Sequence, residues 1–221
     1  MSGIERLVEK FPEDGVECFN EVVTASEVVL TVDESGKHSY IGCDVKDGVF
    51  RILFGVGYLG TNISDISYNK IPQAISDAPR TSDFPLLVKG SIRNEYDAGV
   101  PEVKAEIGAI LNIPVDDFTL DPNFLHNYKA LKSAKDASWR EDSFGTATLE
   151  YFKGLQYQLG YQKFKDDDMM QEGLWDAIEK KTFQLRIVDK LEKGSYNEIV
   201  IKDGVGIIQV GLIYICMDYF D

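Results

Sequence analysis

Apolar runs separated by turn residues predict short strands near both ends of this chain. The clearest run is Val49–Phe54, which follows the turn sequence Lys-Asp-Gly-Val at positions 46–49. Asp-Gly supplies the positive φ angles of a tight turn, so the apolar runs on its two sides are predicted to pair as antiparallel strands. The same turn sequence recurs at positions 202–205.

The two turns belong to a longer internal repeat. Residues 32–58 align without a gap on residues 188–214, 156 positions further on, and 12 of the 27 pairs are identical. Average residue usage would give about two identities. An amphipathic segment with helical spacing precedes each copy, at 17–23 and at 173–181. We therefore predict an α+β fold whose antiparallel sheet is built from two duplicated helix–strand–hairpin units.

The chain between the copies is predicted to be a mainly helical insertion. Apolar residues recur at helical spacing in 101–111, 121–135 and 146–164, and Asp121 is placed to cap the second of these helices. Residues 61–93 are rich in turn-forming residues and predict loops with one strand at 85–92. The predicted organisation is a first unit at 1–60, an insertion at 61–165 and a second unit at 166–221, within one compact domain.

A glycine pattern after the first hairpin resembles a dinucleotide-binding turn, G-x-G-x-x-G, at Gly55, Gly57 and Gly60. Such a turn requires an amphipathic helix directly behind it. The following segment, TNISDISYNKIP, is polar and contains Pro72, and only Gly55 has a glycine counterpart in the second copy, Gly211. We expect Gly55 to serve the sheet as a mid-strand bulge or close approach, and we predict no nucleotide cofactor.

Charge and cysteine content limit the classes of partner. The chain has 37 acidic and 23 basic residues, a net charge of −14, which disfavours nucleic acid and anionic membrane surfaces. Cys18, Cys43 and Cys216 have no motif spacing, which favours a reducing compartment. The first residues lack the apolar core of a signal peptide, and the apolar run at 205–217 is too short to span a bilayer. A soluble, intracellular protein is predicted.

Residues with catalytic or metal-binding chemistry are few. His38 and Cys43 are predicted to lie on one strand with side chains on opposite faces, so they do not form a nucleophile–base pair. His126 is predicted on the surface of its helix, and a Cys43–His126 pair depends on the tertiary fold. The alternating Asp117, Thr119, Asp121 and Asn123 lack the glycine and the closing glutamate of a calcium loop. No zinc spacing occurs, and no metal or cofactor is predicted.

Two hypotheses about function follow from these patterns. The first is a non-enzymatic interaction or assembly protein that associates with itself or another protein, including as a component of a larger particle such as a virion. Its candidate contact residues form a basic stripe, Lys129, Lys132, Lys135 and Arg140. The alternative is an enzyme or small-ligand-binding protein with a pocket between the duplicated units or under the loop at 61–93. Its candidate pocket residues are Ser39, Tyr40, Asp47, Ser195, Tyr196 and Asp203.

Overall fold

The computed structural model describes residues 3–67, 70–134, 139–194 and 196–212. Its backbone separates into two compact units, residues 1–90 and residues 91–221. Both units combine helices with a small β-sheet, which confirms the α+β class.

The described part of unit 1 contains four α-helices, the last of which ends one residue into unit 2, a 3-10 helix at Ile63–Ser67 and three strands. Its helices are α1 (Gly3–Lys10), α2 (Pro12–Val22), α3 (Lys70–Asp77) and α4 (Leu86–Ser91). Its strands are β1 (Glu27–Val32), β2 (Ile41–Lys46) and β3 (Val49–Phe54), in the order β1-β3-β2. β3 is parallel to β1 and antiparallel to β2. Asp47 and Gly48 join β2 to β3 with φ angles of 54° and 75°, which a tight two-residue turn requires.

The core of unit 1 lies between this sheet and helices α2 and α3. Cys18 and Val22 of α2, Ile75 of α3 and Phe50 of β3 are all buried in one apolar cluster. The carboxylate of Glu21 also fixes the segment 81–82 to α2. It accepts four hydrogen bonds, from the backbone N–H and the hydroxyl of Thr81 and of Ser82, at 2.7–2.8 Å. Burial raises the pKa of Glu21, but these bonds outweigh it and lower the pKa to about 2.

Unit 2 contains a four-stranded sheet and the longer helices. Its described helical segments are a π-helical stretch (Ile92–Asp97), α5 (Ala98–Ile110), α6 (Phe124–Ser133), α7 (Phe144–Tyr161), α8 (Asp168–Ala177) and three short 3-10 helices (Val115–Asp117, Glu141–Ser143 and Phe164–Asp166). Its strands are β4 (Thr119–Asp121), β5 (Thr182–Val188), β6 (Asn197–Lys202) and β7 (Val205–Gly211), in the order β4-β5-β7-β6. β5 is parallel to both β4 and β7, and β6 is antiparallel to β7. Asp203 and Gly204 join β6 to β7 with φ angles of 53° and 74°.

Apolar positions of the long helices form the core of unit 2. Phe152 of α7, Ile107 of α5 and Val210 of β7 are fully buried. The four apolar positions predicted to face inward on α7, Leu149, Phe152, Leu155 and Leu159, are all buried. The three helices predicted in the middle of the chain are therefore present, as α5, α6 and α7.

The single antiparallel sheet expected from the sequence is wrong: the described residues form two sheets, and each mixes parallel and antiparallel pairs. In each sheet the last and most apolar strand, β3 or β7, occupies the interior and has a neighbour on both sides. Hydrophobic periodicity identifies strands, but it does not specify which strands become neighbours.

The first strand of each sheet also departs from the gapless alignment. The two antiparallel pairs correspond residue for residue, since Ile41 lies opposite Phe54 and Asn197 lies opposite Val210. In the parallel pairs, Val32 lies opposite Phe54, whereas Ile187 and not Val188 lies opposite Val210. The gapless alignment matches Val32 with Val188, whereas the strand pairing matches Val32 with Ile187, so the two differ by one residue.

The strand predicted at 85–92 is wrong, because Leu86–Ser91 forms helix α4. Leu86, Leu87 and Val88 are all buried, at 1%, 9% and 0% exposure. A short run that is buried on every side shows no alternation, so it does not distinguish a helix from a strand. Pro85 directly precedes the helix, where its missing N–H costs no intrahelical hydrogen bond.

Three local expectations are corrected by the backbone. Asp121 does not cap α6; it ends β4, and its carboxylate accepts hydrogen bonds from the Asn123 N–H at 2.9 Å and the Gln184 amide at 2.6 Å. Pro72, which in the sequence argues against a helix behind the glycine pattern, lies within the first turn of α3, a position that tolerates proline. Gly55 directly follows β3 instead of lying mid-strand, and a Cβ on it would lie 3.1 Å from the Ser39 carbonyl oxygen.

Candidate interaction surface

Strand β1 of unit 1 is an edge strand with an exposed apolar row. Val28, Leu30 and Val32 alternate with more covered residues and are 56%, 59% and 38% exposed. Among the described residues, β1 pairs with β3 on one side and with no strand on the other. Backbone donors and acceptors on an unpaired edge are a template for the addition of another strand.

The first strand of the other sheet shows how such a row is covered. Phe183, Leu185 and Ile187 of β5 lie opposite Gly206, Ile208 and Val210 of β7. Val28, Leu30 and Val32 occupy the same positions relative to β3, opposite Phe50, Ile52 and Phe54. The three β5 side chains are only 1%, 2% and 6% exposed. The apolar row on the first strand of the sheet is thus buried on β5 in unit 2 and exposed on β1 in unit 1.

The cover of β5 is supplied by β4 and α6. β4 pairs in parallel with the first part of β5. Asn127 of α6, which is fully buried, then takes over the edge: its side-chain amide donates to the Leu185 carbonyl at 3.1 Å, and its side-chain carbonyl accepts from the Ile187 N–H at 2.8 Å. Unit 2 therefore satisfies the backbone edge and covers the apolar row together.

Other sheet edges carry features that discourage strand addition. On β2, Asp44 forms a two-point ion pair with Arg51, and Lys70 donates to the Ile41 carbonyl at 2.8 Å. β6 carries the charged residues Glu198 and Lys202, and β4 is only three residues long. Short edges and charged residues are common ways to prevent edge-to-edge pairing. β1 is six residues long, EVVLTV, and its one charge, Glu27, lies at its first position, outside the apolar row.

Further exposed apolar side chains follow β3. Because β1 and β3 are parallel, the loop after β3 begins at the end of the sheet where β1 also ends. The Tyr58 ring packs edge-on against the Tyr40 ring, with centroids 5.1 Å apart. Val56, Tyr58, Leu59 and Ile63 of this loop, and Tyr40 before β2, are 44–79% exposed. We call the row on β1, Val28, Leu30 and Val32, the β1 surface.

Members of the predicted basic stripe lie beside acidic residues of the same unit. Lys132 of α6 forms an ion pair with Glu141 at 3.2 Å, and Arg140 forms a two-point pair with Asp142 at 3.0 and 2.7 Å. Lys129 is exposed on α6, and Lys135 lies outside the described residues. The positive charge at Lys132 and Arg140 is therefore offset locally.

The predicted pocket residues that the structure describes are exposed side chains of the two units. Asp47 and Asp203 are exposed turn residues, and Ser39 and Tyr40 are exposed beside the start of β2. Tyr196 is 67% exposed, and Ser195 lies outside the described residues.

A cavity of about 440 Å³ lies within unit 1, between β2, α3 and the segment before β2. Its lining includes the cations Lys37 and Lys70, the acids Asp44 and Asp77, and Gln73. Ser39, Tyr40 and Asp47 are not part of that lining. Sequence reasoning did not identify this cavity, because its walls come from segments some thirty residues apart.

His38 and Cys43 both line this cavity, contrary to their predicted separation. β2 begins only at Ile41, so His38 precedes the strand and the alternation of strand side chains does not apply to it. Burial raises the pKa of the Cys43 thiol to about 12. The thiolate is the nucleophilic form of cysteine, so this thiol is chemically quiet at neutral pH.

Two further properties concern metal ions and membranes. Within the described residues, no three His, Cys, Asp or Glu side chains are arranged to hold a metal ion. None of the helices in the described part of the chain has the length and apolar character needed to cross a membrane.

Comparisons of the chain with protein-family models, with curated proteins and with solved structures find no match.

Proposed function

We propose that this chain is a non-enzymatic assembly protein, which associates with itself or joins a larger particle through unit 1. The observation that carries the proposal is the exposed apolar row on β1, Val28, Leu30 and Val32, along an unpaired strand edge. Large contiguous apolar patches are uncommon on proteins that remain monomeric, and they mark interaction sites. Addition of a strand to such an edge is a recurrent mode of protein recognition.

Internal duplication also belongs to this proposal. Supporting features are the shared strand order within β1-β3-β2 and β5-β7-β6, the matched pairing of the two hairpins, and the matched φ angles of their turns. A one-residue insertion or deletion between the first and second strand accounts for the shift at Val32. On this view the two repeat copies, one in each unit, descend from a segment with an open first strand. Unit 2 covers that strand with β4 and α6, and unit 1 leaves it for a partner.

Light scattering after size exclusion, over a wide range of concentrations, tests this function. We expect a mass above that of one chain, increasing with concentration if association is reversible. Affinity capture with the tagged chain from its native extract gives the second readout. A chain that stays monomeric at every concentration and retains no partner contradicts the proposal.

The cavity in unit 1 supports a second candidate, a small-ligand-binding protein. Its volume of about 440 Å³ falls in the range of ligand pockets, and its mixed cationic and acidic lining suits a small polar molecule. Thermal denaturation against a panel of metabolites tests it, since a ligand that binds only the folded state raises Tm. Gln73→Trp, designed to fill the cavity, should abolish such a shift. Uniformly flat responses contradict this second function.

A further inference from the structure

We infer that the occupant of the β1 surface is an extended segment of a different protein, apolar at alternate positions and basic at both ends, which adds to the sheet as a further strand. This inference rests on the proposed assembly function and specifies its partner. The added strand provides neighbours for the backbone groups on the open edge of β1 and covers Val28, Leu30 and Val32.

Unit 2 shows the apolar character that such a segment requires. β4 occupies the corresponding edge of the second sheet and pairs in parallel with β5. Leu120 of β4 lies opposite Phe183 and is 8% exposed, and Phe118, two residues earlier, is 2% exposed. Thr119, between them, is exposed. A strand that covers an edge of this kind therefore carries apolar side chains at every second position.

Acidic side chains lie at both ends of β1. Glu27 is its first residue, and Asp33 and Glu34 directly follow its last. Glu27 and Glu34 are exposed, and neither forms an ion pair with any other residue that the structure describes. Arg51, the one cation of β3, is paired with Asp44 of β2. A segment with Lys or Arg at both ends therefore complements β1 in charge.

The same charges disfavour a second copy of this chain as the occupant. In an antiparallel pair, the apolar rows of two β1 strands overlap fully when Leu30 lies opposite Leu30. That register places Glu27 of each copy opposite Asp33 of the other, and like charges directly opposite each other are destabilising. The net charge of −14 adds a general repulsion between copies.

The peptide KVTVTVK tests the chemistry of the occupant. It reads the same in both directions, so in parallel or antiparallel pairing its valines lie opposite the apolar row of β1 and its lysines lie opposite Glu27 and Asp33. EVTVTVE, with the same apolar row and acidic ends, is the control peptide. Isothermal titration calorimetry should give a Kd at least about fivefold lower for KVTVTVK, because opposite charges replace like charges at both ends. Glu27→Lys should reduce this preference.

Leu30→Lys tests the place of binding. It puts a charge at the centre of the apolar row, and because Leu30 is 59% exposed the fold should be unaffected. Ile199→Lys on the edge strand β6 is the matched control, since Ile199 is 51% exposed. Binding of KVTVTVK should weaken at least about tenfold in Leu30→Lys and stay unchanged in Ile199→Lys. Circular dichroism checks that both variants fold.

Hydrogen exchange tests the mode of binding. Addition of a strand gives hydrogen-bond partners to the backbone N–H groups of β1 that face away from β3, so their exchange should slow when KVTVTVK binds. Unchanged exchange along β1 in the bound state contradicts strand addition.

Each outcome separates this inference from the broader function. Equal binding of the two peptides overturns the basic ends, and binding that persists in Leu30→Lys overturns β1 as the site. Self-association that Leu30→Lys abolishes makes a second copy the occupant, so it overturns the inference and leaves the assembly function in place. A chain that binds neither peptide but captures a protein also overturns only the inference. A chain that binds neither peptide, stays monomeric and retains no partner overturns both.

Discussion

Asn127 offers the most direct test of how unit 2 closes its sheet. Its side chain is fully buried and makes three hydrogen bonds. The amide nitrogen donates to the Pro122 carbonyl at 2.8 Å and to the Leu185 carbonyl at 3.1 Å, and the amide oxygen accepts from the Ile187 N–H at 2.8 Å. Asn127→Leu keeps a side chain of similar size and removes all three bonds.

The expected loss of stability follows from the backbone groups left behind. Each hydrogen bond contributes about 1 kcal/mol net, and a buried polar group without a partner costs about 1–3 kcal/mol. The Leu185 carbonyl and the Ile187 N–H lie under α6 on the side of β5 away from β7, where β4 pairs only with Thr182, Phe183 and Gln184. We therefore expect Asn127→Leu to reduce the free energy of unfolding by about 3–5 kcal/mol. A domain has only about 5–15 kcal/mol in total.

Tryptophan fluorescence during urea unfolding measures this loss selectively. The chain has two tryptophans, Trp139 and Trp175, and both lie in unit 2. The Trp175 ring lies 5.9 Å from the ring of Phe183 on β5, so its emission reports on this sheet. Asn197→Leu on the exposed edge of β6 is the control and should change stability by less than about 0.5 kcal/mol.

Asn127→Asp adds a dependence on pH. An aspartate keeps an acceptor for the Ile187 N–H but loses both donors, and burial raises the pKa of its carboxyl group in the folded state. Because the folded state then binds a proton more tightly than the unfolded state, this variant should become more stable as pH falls from neutral. A loss below about 1 kcal/mol for Asn127→Leu would refute the view that this amide closes the edge of β5.

Three further predictions concern individual sites. The pKa of Glu21 is lowered to about 2 in the folded state. The stability that its carboxylate gives to unit 1 is therefore complete above the ordinary pKa of 4.5 and is lost as pH falls towards 2. Hydrogen exchange should show unit 1 of Glu21→Gln less protected than the parent by about 1–2 kcal/mol at neutral pH, and equally protected near pH 2. Gly145→Ala places a methyl group against the backbone of Ser91 and Ile92 and should reduce the free energy of unfolding in urea by about 2 kcal/mol or more. Gly154→Ala on the same helix, where the added methyl group has open space, should be neutral or stabilising. Equal effects of the two substitutions would contradict the close packing at Gly145. Cys43, whose thiol pKa is about 12, should react with iodoacetamide only as fast as unit 1 opens, and rapid labelling of the folded chain would contradict its burial.

Local sequence patterns predicted individual helices and turns better than they predicted how the strands pair. The inward positions of α7 were predicted because one face is buried and the other is exposed, which imprints a helical period on the sequence. α4 was mistaken for a strand because its apolar residues are buried on every side and leave no period. The turn angles at Asp47 and Asp203 follow from the Asp-Gly sequence itself.

The sequence patterns did not predict the candidate interaction surface. The predicted stripe and pocket residues were chosen by residue type, whereas the β1 surface is defined by what does not cover it. A comparison of EVVLTV with TFQLRIV shows two similar strands. Only the fold reveals that one of them is covered by a strand and by Asn127 and that the other is exposed.

The amino-acid sequence alone determined the helices with one buried face, the tight Asp-Gly turns, the acidic charge and the likeness of the two ends of the chain. These properties depend on interactions over a few residues or on composition. The tertiary structure decided the neighbours of each strand, the division into two sheets, the cavity before β2 and the exposure of Val28, Leu30 and Val32. Those features depend on contacts between residues far apart in the chain, and a pattern of local periodicity carries no information about which distant surfaces meet.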